Sequence, residues 1–278
     1  MRYKTPRIIS AGDTAVIVYM GYGMELEVNS AVIVANRKIQ EAKENDEIKG
    51  LKDTIPGWYS IAVYYDNMVI NYDEIIEKIM GIVTSIGEIE SMPSRIIEVP
   101  CLYGTEENGT EWGPDLAESA AYSGMTVEEA VKAHTDANQW VGLIGFQPGV
   151  TFATPLKKTD KILLGKVYDT PRSYTPAGTL GQGGACCVPY TLAGAGGYAM
   201  IGYLPALPYE PTQTLPDFYD KATLFQAGDR IRYRSINIEE YNSILLQIRE
   251  RTFRYKIKES IFNIKAYLEG DEDDVESC

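Results

Sequence analysis

The residues with chemical potential in this chain concentrate between His134 and Pro205. His134 is the single histidine among 278 residues. It closes a stretch, MTVEEAVKAHTDAN, that reads as a helix. Thr126 and Glu129 form a capping box, and Val127, Ala130 and Val131 share a face with His134. A helix C-terminus favours a protonated imidazole, so His134 can serve as a general base or an anion-binding cation. The alternative is a histidine satisfied within a helix end. Arg172 lies in a Pro-flanked, Ser-rich turn, where it can clamp a carboxylate bidentately or simply face water. Between the two runs an apolar strand, WVGLIGF, that delivers the loop Phe146, Gln147, Pro148 and Gly149. A glycine-dense segment, PAGTLGQGGACCVPYTLAGAGG, starts at Pro176 and includes Gly178. Its glycines permit close backbone approach to a ligand or a neighbouring strand. The expectation is that His134, the 146–149 loop and Arg172 converge on one cleft and hold an anion.

The elements that must position these residues follow from periodicity. RIISAGDTAVIVYMG reads as two strands around a Gly-Asp turn, and NSAVIVANRKIQEAKEN as a helix with Val32, Ala35, Ile39 and Ala42 on one stripe. LKDTIPGWYSIAVYYD is a turn and a strand. NYDEIIEKIMGIVTSIGEI is a second helix, with Asn71 and Glu74 as its capping box and Ile75, Ile76, Ile79, Met80, Val83 and Ile86 on its apolar face. From Trp140 to Tyr233 short strands broken by Gly and Pro suggest a barrel or sandwich. The stretch after Ile238 reads as one or two terminal helices. The fold class is α+β. An N-terminal α+β domain is expected over 1–93, a β-barrel over 94–236 and a helical extension with an acidic tail over 237–278.

Composition narrows the function. Net charge is −13, which argues against nucleic acid as a partner. No apolar run reaches the ~18 residues of a membrane span, and the N-terminus lacks a signal-peptide core, so a cytoplasmic protein is expected without membrane contact. Four cysteines without CxxC spacing suggest no disulfide scaffold, and a single histidine argues against a His-rich metal site; Cys186-Cys187, a candidate nucleophile with no helix start or basic neighbour to activate it, reads as small buried residues in a strand. Gly194, Gly196 and Ala199 match GxGxxA, but Pro205 and Pro208 exclude the helix a dinucleotide fold needs there.

Taken together, GDTAVIV, IPGWYSIAVYYD, RIIEVPCLYG, WGPDLAESA, the His-Thr before WVGLIGFQPG, TPRSYTPAGTLG, GGYAMIGYLP and FQAGDRIRYRSI resemble the allophanate hydrolase subunit 1 family. That family includes the B component of 5-oxoprolinase, the first half of the carboxyltransferase domain of urea carboxylase, and a sporulation kinase inhibitor. The resemblance implies that the barrel is cyclophilin-like. It implies an obligate partner, a second polypeptide of the allophanate hydrolase subunit 2 type or of the type of the C component of 5-oxoprolinase, and a small amide or carboxylate substrate. It implies no cofactor bound by this chain alone, with ATP or biotin used in the assembled complex. The site residues it implies are His134 and Arg172 as catalytic groups, with Phe146, Gln147, Pro148, Gly149, Pro176 and Gly178 against substrate. Inhibition of a histidine kinase is the alternative function. The chain departs from the family at Cys186–Thr191, where a Gln-Thr-Gly-Ile-Tyr-Pro run is usual, at PGVTFATPL, and at Tyr203 in place of an arginine. These departures favour a further reading, a divergent carboxylase component with a different acceptor.

Overall fold

The computed structural model describes residues 1–104, 112–157, 162–165 and 168–271. Most of the acidic tail, including Cys278, lies outside the described residues. The chain divides into two compact units, Met1–Ser94 joined by the segment from Ser260, and Arg95–Glu259.

The first unit opens with β1 (Arg2–Ser10) and β2 (Ala15–Gly21), then α1 (Leu26–Glu44), β3 (Leu51–Pro56), β4 (Ser60–Tyr65), α2 (Tyr72–Thr84) and the short β5 (Ser91–Pro93). The four long strands form an antiparallel sheet in the order β1-β2-β4-β3. One face alternates Val16, Val18, Ile61 and Val63, all fully buried in one cluster with Val32, Ala35 and Ile39 of α1 and Ile75, Ile79 and Val83 of α2. These are the stripes legible in the sequence. Both ends of the Asn71–Glu74 capping box form, at 3.0 and 3.3 Å.

The second unit begins with β6 (Ile96–Tyr103), α3 (Leu116–Tyr122) and α4 (Val127–Asp136). A run of strands follows: β7 (Asn138–Ile144), β8 (Thr151–Pro155), β9 (Arg172–Thr175), β10 (Thr179–Gly183), β11 (Cys186–Pro189), β12 (Gly194–Gly196) and β13 (Ala199–Tyr203). It ends with β14 (Arg230–Ser235), α5 (Ile238–Arg249) and β15 (Lys256–Lys258). The order β13-β10-β11-β8-β7-β14-β6 closes when β13 pairs with β6, which makes a seven-stranded barrel within the expected α+β architecture. Gly202 sits on the closing seam opposite Tyr103, and a Cβ there would lie 2.6 Å from the Cys101 sulfur, so this seam requires glycine. Arg95 donates from Nε and Nη2 to both oxygens of Asp229, at 3.0 and 2.5 Å. That bidentate pair ties the start of β6 to the turn before β14.

The terminal stretch departs from the all-helical reading. Only α5 is a long helix, and its Tyr241 and Ile244 join the barrel core. β15 then adds to β6. β16 (Ile261–Asn263) pairs with β5 in the first unit, and α6 (Ile264–Glu269) ends at Gly270, which takes φ +85°. The periodicity missed these strands because each has three residues, too few for an alternation to register.

Candidate functional site

The 145–150 turn is built first, because it joins β7 to β8. Gly145 N–H donates to Val150 O at 3.0 Å, and Gln147 N–H donates back to Gly145 O at 2.8 Å. That second bond makes Phe146 the centre of a γ-turn with φ +68°, a strained conformation for an aromatic residue. The Phe146 side chain is 69% exposed and stands edge-on to Tyr190, ring centres 6.3 Å apart. Gln147 and Pro148 have anchoring roles. Leu192 N–H donates to Gln147 Oε1 at 3.2 Å and the Thr191 hydroxyl donates to Pro148 O at 2.7 Å. Gly149, at φ +75°, passes so close to Pro208 that a Cβ would lie 2.9 Å from its carbonyl oxygen. Pro176 and Gly178 form the turn into β10: Gly178 N–H donates to Tyr190 O at 2.8 Å, and Gly178 O accepts from Leu204 N–H at 2.8 Å.

Beside this turn lies a cleft of about 390 Å³. Phe146, Phe152, Tyr168, Tyr190 and Tyr198 form its walls, with Gly196 and Gly197 in its floor. Gly196 is compulsory, because a Cβ would collide with the Tyr190 hydroxyl and lie 2.7 Å from Thr175 Oγ1. Both hydroxyls thus lie close to Gly196, and of the two residues Tyr190 lines the otherwise apolar cleft. Burial pushes the Tyr168, Tyr190 and Tyr198 phenols above their ordinary range, so they stand as neutral O–H groups at pH 7.

Arg172 forms part of the cleft's outer support. It donates to Asp115 Oδ2 through Nη2 and to Tyr198 O through Nη1 at 3.0 Å, and its guanidinium lies 4.4 Å over the Tyr168 ring. Asp115 stands at the N-cap position of α3 without capping it, and accepts instead from Arg172 and from Met200 N–H at 2.7 Å. The carboxylate that Arg172 clamps is therefore one of the protein's own.

His134 is elsewhere, and the expected cationic pair does not form. It is 3% exposed, in the barrel core. Tyr103 Oη lies 2.7 Å from Nδ1, Cys187 Sγ 3.3 Å from Nε2, and the Tyr233 ring packs at 4.8 Å. Burial lowers its pKa to about 4, so it is neutral at pH 7. Desolvation inside the barrel outweighs the helix-end dipole, which favours the cation by only about 0.3–1 kcal/mol at exposed ends. His134 and Arg172 share no partner, and His134 does not line the cleft. Cys187 is buried with its thiol raised to about 12, which removes it as a nucleophile.

Of the residues singled out from sequence, Phe146 lines the cleft. Arg172 braces it, and Gln147, Pro148, Gly149, Pro176 and Gly178 shape the turns around it. The sequence reading missed Phe152, Tyr168, Tyr190, Tyr198 and Asp115. Two signals pointed toward them. Phe152 and Tyr190 fall within segments where the chain departs from the family pattern, and Asp115 follows a proline at a helix start.

A closed barrel carrying an aromatic cleft, in a chain with a smaller α+β unit, defines the class of this protein. The chain belongs to the family described as carboxyltransferase domain, subdomain C and D, whose profile matches residues 6–219. This is the family its motifs resemble. The B component of 5-oxoprolinase from Bacillus subtilis is 26% identical over 253 residues, covering 87% of this chain and 97% of that protein. The protein of the same name from Escherichia coli O157:H7 is 29% identical over 222 residues, covering 80% and 92%. The crystal structure of Kluyveromyces lactis urea carboxylase superposes with a TM-score of 0.77 at 20% identity. The match covers all of this chain and 26% of that one, so it bears on the fold alone. Among the described residues no helix is long and apolar enough to cross a membrane.

Proposed function

We propose that this chain is one subunit of a heteromeric enzyme acting on an amide or a small nitrogenous acid, as in 5-oxoprolinase. The observation that carries the reading is the chemistry of the cleft. Its walls can bind a ligand, orient it and exclude water, but its phenols are held neutral and its nearest arginine is engaged by Asp115. A phenol kept in its O–H form can donate a proton but is a poor acceptor, so a general base for the reaction comes from another polypeptide. That fits a chain sharing its site with a partner that resembles the C component of 5-oxoprolinase. The full-length likeness to proteins named as the B component supports the same reading.

If ATP or biotin takes part, other subunits hold it. The cleft is walled by apolar rings and its arginine is spent, a poor fit to a polyphosphate. A second reading is favoured by one specific feature. Val150, Phe152, Val188 and Tyr190 line the cleft and lie in the two segments that depart from the family pattern. A less polar acceptor than urea or 5-oxoproline suits those walls.

The test is reconstitution by omission. The chain is combined with its partner subunits and supplied with ATP and 5-oxoproline, or with a carboxylated biotin donor and a panel of amides. Turnover that requires both the chain and its partners supports the proposal. Full turnover by the lone chain, or by the partners without it, overturns it.

A further inference from the structure

The sheet of the first unit has a second face, and its character is unexpected. Pairing places Ile9 opposite Ile17, Ile17 opposite Ala62, and Ala62 opposite Ile55, so one apolar row crosses all four strands on the side away from α1 and α2. The row is open at both ends, with Ile9 and Ile55 each 48% exposed. Tyr64, one row along, is 40% exposed. An antiparallel sheet covered on one side ordinarily turns polar residues to water on the other. A continuous apolar row on an open face marks a contact surface.

The sizes of the side chains point to what covers it. On the two central strands each large residue is paired with a small one: Tyr19 with Ser60, Ile17 with Ala62, and Tyr64 with Ala15. Consider a two-fold axis in the contact plane, parallel to β2 and β4 and midway between them. It sets β2 of one copy over β4 of the other, row for row. Tyr19 then meets Ser60, Ile17 meets Ala62 and Tyr64 meets Ala15, each across the axis. On the flanks Ile9 meets Ile55. On the central strands each ridge meets a dip, and on the flanks two exposed isoleucines close on each other, which is the self-complementarity an isologous contact requires. Two sheets stacked in this way have the aligned geometry common in sandwiches.

The area is adequate. Besides Ile9, Ile55 and Tyr64, the face includes Tyr59, 38% exposed and stacked 6.2 Å from Tyr19. With the half-buried Ile17, Tyr19 and Ala62 and the flanking Arg7, the accessible surface is on the order of 600 Å² per copy at the usual size of such side chains. A pair would bury about 1,200 Å², the lower limit of a specific interface.

We propose that the outer face of the β1–β4 sheet is the surface through which two copies of this chain pair. The inference is independent of the cleft and of the reaction. The test is sedimentation velocity on the full chain over ~1–100 μM, where an interface of this size should populate a dimer. Ile55→Lys, at an exposed position, should give a monomer with unchanged circular dichroism and melting. Ala62→Ile fills the dip opposite Ile17 and should weaken pairing about tenfold or more, by overpacking. The size swap Ile17→Ala with Ala62→Ile restores a ridge over a dip and should recover most of the affinity. A wild-type chain that stays monomeric overturns the proposal. So does a dimer indifferent to Ile55→Lys and Ala62→Ile, or a reconstituted complex in which a different polypeptide covers this face.

Discussion

Because His134 is the only histidine, its ionisation can be isolated in a stability measurement. Its pKa falls from an ordinary 6.5 to about 4 in the folded protein, through burial. The neighbours in contact with it stay neutral throughout that range, since burial raises the Tyr103 and Tyr233 phenols far above neutrality and the Cys187 thiol to about 12. Between pH 6.5 and 4 the unfolded chain therefore binds a proton that the folded chain refuses. Stability from this group is complete above pH 6.5 and is lost as the pH falls toward 4. The full loss is about 3 kcal/mol, at about 1.4 kcal/mol per pH unit. Carboxylates titrate in the lower part of the same window, so the readout is a difference. Urea unfolding of the wild type and of His134→Gln is measured from about pH 7.5 to about pH 4.5. Glutamine keeps a donor and an acceptor for Tyr103 and Cys187 but cannot ionise. The wild type should lose about 2–3 kcal/mol more than the variant across that range. Parallel curves would refute the neutral, buried assignment and reopen a cationic His134.

Three further outcomes follow from the packing. Gly183→Ala would set its methyl 2.5 Å from the Tyr198 ring, and should cost about 1–3 kcal/mol in denaturant unfolding and disturb the cleft wall. Asp115→Asn leaves the partly buried Arg172 without its anion, and should cost about 1–3 kcal/mol in denaturant unfolding. Thr126→Ala removes one half of the box that starts α4, and should cost about 1 kcal/mol by the same assay.

Much of the fold was legible because it rests on local signals. The two capping boxes, the α1 and α2 stripes and the glycine-broken strand run each correspond to an observed element. What was not legible depends on distant parts of the chain. His134 looks cationic at a helix end, and only the closure of β13 on β6 brings the core that buries it. Arg172 looks available in a turn, and only the return of α3 brings Asp115 to it. The cleft's aromatic walls come from the 145–150 turn, β8, the 168–171 segment, the residue after β11 and the residue before β13. No window of sequence contains them together. The strand pairs β5–β16 and β6–β15 escaped for the same reason, since a three-residue strand is specified by its partner.

The proposed function requires that the barrel cleft supply this chain's share of a site completed by a partner. Gly197 offers the most direct test. A Cβ there meets nothing nearer than 3.8 Å, and the side chain would grow beside Pro171, within the cleft lining. Gly197→Leu should fill the cleft without disturbing the barrel. In the reconstituted complex, kcat/KM for the substrate is measured for wild type and variant, with melting temperature and complex assembly as controls. It should fall about tenfold or more, equivalent to at least about 1.4 kcal/mol of transition-state binding, with both controls unchanged. An unchanged kcat/KM in a correctly assembled Gly197→Leu complex would contradict the proposed function.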